Sequence, residues 1–210
     1  MSEEATGAED STLLTAWRAG DTQAGEELFR RYYVALLRFF RSKAGEHAFE
    51  LTQATFLACV EGRDGIRNTA TFRAYLFRIA RNLLFDHYRG QYKARSDVEL
   101  SELSCADLSP GIAELHAKEQ ELALLLRAMR RIPINAQIVL ELYYWERLSG
   151  REIGEVLGIP EGTVRTRLRD AKHHLEAQVG RLARTPELAQ STVIGFDTWA
   201  EQLRLRIARA

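Results

Sequence analysis

Only two cysteines, Cys59 and Cys105, occur in the 210 residues. They stand far apart with no close partner, so neither a disulfide framework nor a zinc site is expected. A reduced, cytoplasmic protein follows from that usage. Four prolines and 14 glycines exclude collagen-like and low-complexity classes. Long apolar runs are missing as well. Near the middle of the chain the longest is Leu122–Leu126, whereas a membrane span takes about 20 residues, so no transmembrane helix is expected. The start, Met1 to Asp10, is acidic and lacks the apolar core of a signal peptide. Also absent are the phosphate-cradling G-x-x-x-x-G-K-[ST], the metal-binding H-E-x-x-H and the nucleophilic G-x-S-x-G patterns. Without a catalytic constellation the chain is not expected to be an enzyme, nor to hold a cofactor or metal. His173 and His174 do not alter this, because adjacent helix positions point about 100° apart. What remains, 46% hydrophobic and 28% charged, is the composition of a folded soluble protein.

The charge balance, 29 basic against 29 acidic residues, hides a segregation. Arg63 to Arg95 holds eight basic residues against Asp64 and Asp86. Ser96 to Glu121 holds seven acidic residues against Lys118. Pro160 to Arg184 holds six basic residues against three acidic ones. Basic blocks on either side of an acidic one are the electrostatic footprint of a polyanion partner.

Apolar residues recur at helical spacing almost throughout, and no segment alternates as a strand would. The expected fold class is therefore all-α. Helices are predicted over 11–19, 22–42, 46–61, 71–92, 114–131, 135–146, 150–157 and 163–182. Between Ser96 and Gly111 the periodicity gives way to Ser, Asp and Pro-Gly, as in a linker. The expected organisation is a disordered acidic start (1–10), a helical domain (11–95), a linker (96–113), a second helical domain (114–184) and a C-terminal extension (185–210).

Ser149-Gly-Arg-Glu152 reads as a capping box, and Gly158 as the left-handed residue that ends the short helix. The following helix has one narrow apolar stripe, Val164, Leu168, Ala171 and Leu175. On its other side stand Arg165, Thr166 and Arg169, with Arg167 and Lys172 on the flanks. Two short helices, a glycine turn and a basic outer face make a helix-turn-helix, whose second helix enters the DNA major groove. Arginine there bonds guanine edges or grips phosphates.

The helix over 71–92 carries a different signature. Phe72, Leu76, Ile79 and Leu83 make an inward stripe. The other side interleaves Arg73, Arg78, Arg81, Asn82 and Arg89 with Phe77, Phe85 and Tyr88, a combination suited to stacking unpaired bases and following their backbone, although several of the rings, Phe77 and Tyr75 among them, also suit a domain core against neighbouring helices. The polar loop before it, Glu61 to Ala70, includes Asn68 as a base-bonding candidate.

The segment Phe72 to Arg89 resembles region 2 of bacterial RNA polymerase sigma factors of the sigma-70 family, extracytoplasmic-function (ECF) subfamily. Glu50 to Phe56 is similar to the clamp-binding part of that region, and Ser149 to Leu168 to the region 4 helix-turn-helix. The resemblance covers about Leu13 to Leu182 in the family's order. It implies domains 2 and 4 joined by a linker, with core RNA polymerase and promoter DNA as partners. Domain 2 would bind the polymerase clamp through Glu50, Leu51, Gln53 and Phe56. It would open the −10 element with Asn68, Arg78, Arg81, Asn82 and Arg89. Domain 4 would read the −35 element with Thr163, Arg165, Thr166, Arg167, Arg169 and Lys172, and contact the polymerase flap. An anti-sigma factor is a further implied partner. Ala54 stands where the family usually has an acidic residue, and the tail from Pro186 lies beyond its usual end. In that tail Phe196, Trp199, Leu203 and Ile207 share one helical side, and Ser191 to Gly195 reads as a hinge. Such a helix is expected to dock on the protein's own domains and regulate it.

Overall fold

The computed structural model describes residues 3–66, 72–91, 103–108 and 120–194. Among them there are helices and a single isolated bridge, Ser104 to Pro133, but no strand.

The N-terminal group is α1 (Glu3–Arg18), α2 (Thr22–Ala44), α3 (Ala48–Glu61) and α4 (Phe72–Gln91). The first helix begins at Glu3, inside the stretch read from sequence as a disordered acidic end. Asp10 shows why helix prevails there. It is 3% exposed, accepts from Arg31 Nη1 at 3.0 Å and takes the Tyr32 hydroxyl, tying α1 to α2. The second helix starts where the Asp21 carboxylate accepts from the Gln23 and Ala24 amides. It stops at Gly45, whose positive φ of 56° suits glycine. The large residues of α2 that are buried, Leu28, Tyr32, Leu36, Phe39 and Phe40, share one broad side of the helix, while Tyr33 and Val34 are exposed. One single-turn 3₁₀ segment, Gly45–His47, separates α2 from α3 and overlaps the start of the helix predicted over 46–61.

The C-terminal group is α6 (Gln120–Met129), α7 (Ile134–Leu140), α8 (Gly150–Leu157), α9 (Glu161–Leu182) and α10 (Pro186–Ile194). Between Leu140 and Glu146 the backbone widens into a π-helical turn, Glu141–Trp145, with the Glu146 amide reaching Glu141 O. Part of the segment read as linker is tied to this group. Short helix α5 (Cys105–Leu108) follows the bridge, Ala106 N donates to Arg130 O, and Ile134 N donates to Leu103 O. The hinge expected over 191–195 is helix up to Ile194, because Thr192 is buried and bonds Leu188 O. The Phe196–Ile207 stripe lies outside the described residues.

The two groups share apolar packing. One cluster joins Phe39, Phe77 and Leu84 of α2 and α4 to Ile138, Leu142, Ile153 and Val164 of the C-terminal group. A second cluster gathers α6, the later half of α9 and α10, around Leu125, Leu175 and Val179.

Candidate nucleic-acid and polymerase interfaces

The helix-turn-helix has the local geometry its sequence dictates. Ser149 Oγ accepts from the Glu152 amide at 3.3 Å, and the Glu152 carboxylate accepts from the Ser149 amide at 2.8 Å. Gly158 ends α8 at φ 68°, ψ 35°. Gly154 is required for a different reason: a Cβ there would lie 2.7 Å from Ile159 O, so only hydrogen lets the turn close against α8. Burial raises and hydrogen bonds lower the Glu152 pKa. The bonds from Ser149 and the nearby Arg73 charge prevail and hold it below the ordinary 4.5.

Helix α9 buries Val164, Ala171, Leu175 and Val179, with Leu168 half-buried. This fixes the opposite side outward. Thr163, Arg165, Thr166, Arg167 and Arg169 are all exposed. Arg165 stands 3.9 Å from Glu161 and Arg169 3.3 Å from Asp170, both as exposed pairs that a phosphate can replace. Lys172 differs from its neighbours: it is half-buried, with its amine 5.2 Å from the Tyr144 ring centroid.

On α4 the rings do not face solvent. Phe77, Phe85 and Tyr88 are buried, and the Tyr88 hydroxyl donates to Lys43 O at 2.8 Å. Apolar area won over the interleaved pattern, because α4 is covered by α2 and α3 on one side and α8 on another. Arg78, Asn82 and Arg89 remain exposed, while Arg81 is half-buried, 4.8 Å over the Phe85 ring. Burial lowers the Arg81 pKa, and the charges of Arg167 and Arg89 lower it further. Asn68 lies outside the described residues.

On α3 the assigned residues divide. Glu50 and Gln53 are exposed. Leu51 is 8% exposed and belongs to the core, because it falls on the side of α3 turned to the helices it packs against. Phe56 is half-buried, its ring 4.5 Å from that of Phe29. Sequence reasoning missed the exposed apolar residues beside them: Phe49, Leu57 (60% exposed) and Val60. The readable signal was their position, one helical side away from Leu51, Thr55 and Cys59. His87 of α4 stacks near His47, with ring centroids 4.7 Å apart. Burial and the His47 charge lower its pKa against the opposing pull of Glu50. Burial pushes the Cys59 thiol up to about 12, so it is no nucleophile.

Comparison with known proteins agrees with this architecture. Residues 28–94 match the family described as Sigma-70 region 2, and residues 122–175 match Sigma-70, region 4. The ECF RNA polymerase sigma factor SigM of Mycobacterium tuberculosis is 30% identical over 175 residues, covering 82% of this chain and 86% of that one. This chain belongs to the ECF sigma factors. The ECF sigma-E factor of Salmonella typhimurium is 27% identical, over 88% of this chain and all of that one. Among solved structures, CnrH in complex with the cytosolic domain of CnrY aligns with a TM-score of 0.62 at 24% identity. It covers 83% of this sigma factor and 99% of CnrH. As a sigma factor the chain serves promoter-specific transcription initiation by RNA polymerase and is not itself a catalyst. Among the described residues, no helix of this sigma factor is long and apolar enough to cross a membrane, and no group of three or more potential ligands could hold a metal.

Proposed function

We propose that residues 11–95 act as domain 2, 96–113 as the linker and 114–184 as domain 4, and that the protein works in the cytoplasm. Exposed α3 side chains, Glu50 and Gln53 with Phe49, Leu57 and Val60, meet the polymerase clamp. Apolar residues at the centre and polar ones at the edge are the usual anatomy of a protein interface. Arg78, Asn82 and Arg89, with Arg81 and Asn68, hold the opened −10 strand. Domain 4 reads the −35 duplex through Arg165, Thr166 and Arg169 and grips phosphates through Arg167 and Lys172, and it contacts the flap. The observation that carries this reading is α9 itself: a long helix, apolar on one side, whose first turns expose Thr163 and, past buried Val164, Arg165, Thr166 and Arg167.

An anti-sigma partner is supported by likeness to CnrH, solved with CnrY, and to a Bartonella quintana RpoE solved with the anti-sigma factor NepR. Regulation in cis by the extension is supported by α10, which seats on α6 and α9 through Leu188 and Ala189.

The clamp assignment is tested by titrating core polymerase with labelled protein before any DNA is added. Leu57→Ser and Gln53→Ala should each lower core affinity about tenfold while helicity is unchanged. Unaltered affinity in both variants would remove α3 from the polymerase interface.

A further inference from the structure

Among the described residues, four positions have a positive φ. Three are glycines: Gly20 at 104°, Gly45 at 56° and Gly158 at 68°. The fourth is Arg147, at 52°. Its conformation is set within the C-terminal group. The Leu148 amide turns back to Leu142 O at 2.9 Å, six residues earlier, and both leucines are buried in the same apolar cluster. This is the closure by which a helix ends on a left-handed residue, a position usually taken by glycine and sometimes by asparagine. A side chain is strained there, because its Cβ crowds the following carbonyl. Glycine would end the helix equally well and remove the strain. Where the conformation serves only the fold, this chain has glycine. At 147 it has a long cation, and strain kept beneath an exposed side chain points to use rather than to packing.

The side chain of Arg147 is exposed, at a corner of the helix-turn-helix. Two residues on, Ser149 caps α8. A Cβ at Gly150 would lie 3.2 Å from Glu161 Cγ, so the start of α8 abuts the start of α9. Arg165, one turn into α9, stands 3.9 Å from Glu161. Arg147 is therefore near the first turns of the helix whose outward side carries Thr163, Arg165 and Thr166. Charge at this corner favours an anion. Glu146 meets Arg38, Glu152 meets Arg73 and Glu161 meets Arg165. Arg147 and the exposed Arg151 add two positive charges to these matched pairs. The next acid of α8, Glu155, lies a further turn from the corner.

We propose that Arg147 is a further DNA-binding residue of the helix-turn-helix, gripping a backbone phosphate of the duplex that α9 reads. This rests on the reading of residues 114–184 as domain 4. The planar guanidinium fork suits a phosphate, which it meets with two parallel N–H bonds. Such a contact carries no sequence information. It fixes the register and orientation of α9 on the duplex. Arg147 thus trades stability for binding. Removing its side chain and relaxing its backbone improves the fold and harms the function, a pair of effects that a purely structural role would not produce.

The test uses the full chain. Anisotropy follows its binding to a labelled random-sequence duplex at several salt concentrations, and a thermal melt without DNA gives its midpoint. Arg147→Gly should raise the midpoint by roughly 2–4 °C as the strain is relieved. The same variant should bind duplex about fivefold more weakly and lower the slope of log affinity against log salt by about one. Arg147→Lys keeps both the charge and the strained backbone, so it should stay within about twofold of the parent in affinity and match its midpoint. Exposed Arg181 lies about 24 Å further along α9 than Arg165, at 1.5 Å per residue. Arg181→Ala removes the same charge well beyond the screening length and should leave the slope unchanged. A parental slope in Arg147→Gly, or an equal loss of slope in Arg181→Ala, would overturn the phosphate contact. A lower midpoint in Arg147→Gly would show that the side chain supports the fold and would overturn the proposal as well. So would weaker binding of Arg147→Gly to core polymerase with duplex binding intact, which would assign the residue to the flap. A parent chain that binds no duplex would bring down the domain 4 reading and the proposal with it. A parent that binds, with Arg147→Gly indistinguishable from it, would remove Arg147 alone and leave that reading standing.

Discussion

Arg165 and Arg167 are two residues apart on α9, both exposed, and about 200° apart around the helix. They cannot serve the same partner atom. Arg165→Ala should cost about 1–3 kcal/mol of binding and relax preference at one base pair. Arg167→Ala should weaken all duplexes alike and lower the salt slope by about one. Anisotropy titrations of the protein against specific and random duplex at two salt concentrations separate these outcomes, and identical profiles would contradict the division. Glu152 offers a second residue-scale prediction. Its folded pKa lies below 4.5, so its contribution is present above that value and fades as pH falls through the lowered one. The urea midpoint should therefore fall between pH 7 and pH 4 by more in the parent than in Glu152→Gln. An equal fall in both would show that Glu152 carries no linked stability. At this scale the sequence was legible wherever chemistry is local. The capping box, Gly158 and the outward arginines follow from neighbours within one turn. Leu51, Phe85 and Tyr88 were not, since which side of a helix is covered depends on partners far along the chain.

Elements divide along the same line. Helix α8 occupies its predicted bounds because both ends are signalled, Ser149 at one and Gly158 at the other. The end of α10 was missed although its start was written in Thr185-Pro186-Glu187: a capping hydroxyl that bonds Leu188 N at 3.2 Å, proline in the first turn, then an acid. The π-helical turn at Glu141–Trp145 left no local signature, and the reason is tertiary. Widening the helix lets Glu141 face Lys43 while Leu142 and Trp145 stay buried. Arg147 follows at φ 52°, an uncommon conformation for a residue with a Cβ, and its carbonyl accepts from Arg73 at 3.4 Å. The turn between α8 and α9 supplies a prediction at this scale. Gly154→Ala drives a Cβ toward Ile159 O and should destabilise the helix-turn-helix by about 1–3 kcal/mol. Thermal melts of Gly154→Ala against Gly162→Ala check this, because Gly162 has open space around it. Matching melts would mean that the turn adapts freely.

On the scale of the whole molecule, the segregated charges take on a second meaning. The basic surface of α9 stays outward, while Arg38, Lys43 and Arg73 turn inward to meet carboxylates of the other group. Composition could show that charge is segregated, but not which cations are spent inside the protein. That division depends on how the groups pack, and it separates the residues available to a promoter from those that close the chain on itself. The proposed reading gives each exposed set one use: α3 for polymerase and α9 for DNA. Run-off transcription measures this most directly, with core polymerase and templates whose upstream sequence is randomised. The account predicts that adding the chain yields discrete start sites, that the selected templates share two short blocks near −35 and −10, and that Arg165→Ala alters the first block alone. Transcription no different from that of core polymerase without the chain would contradict it.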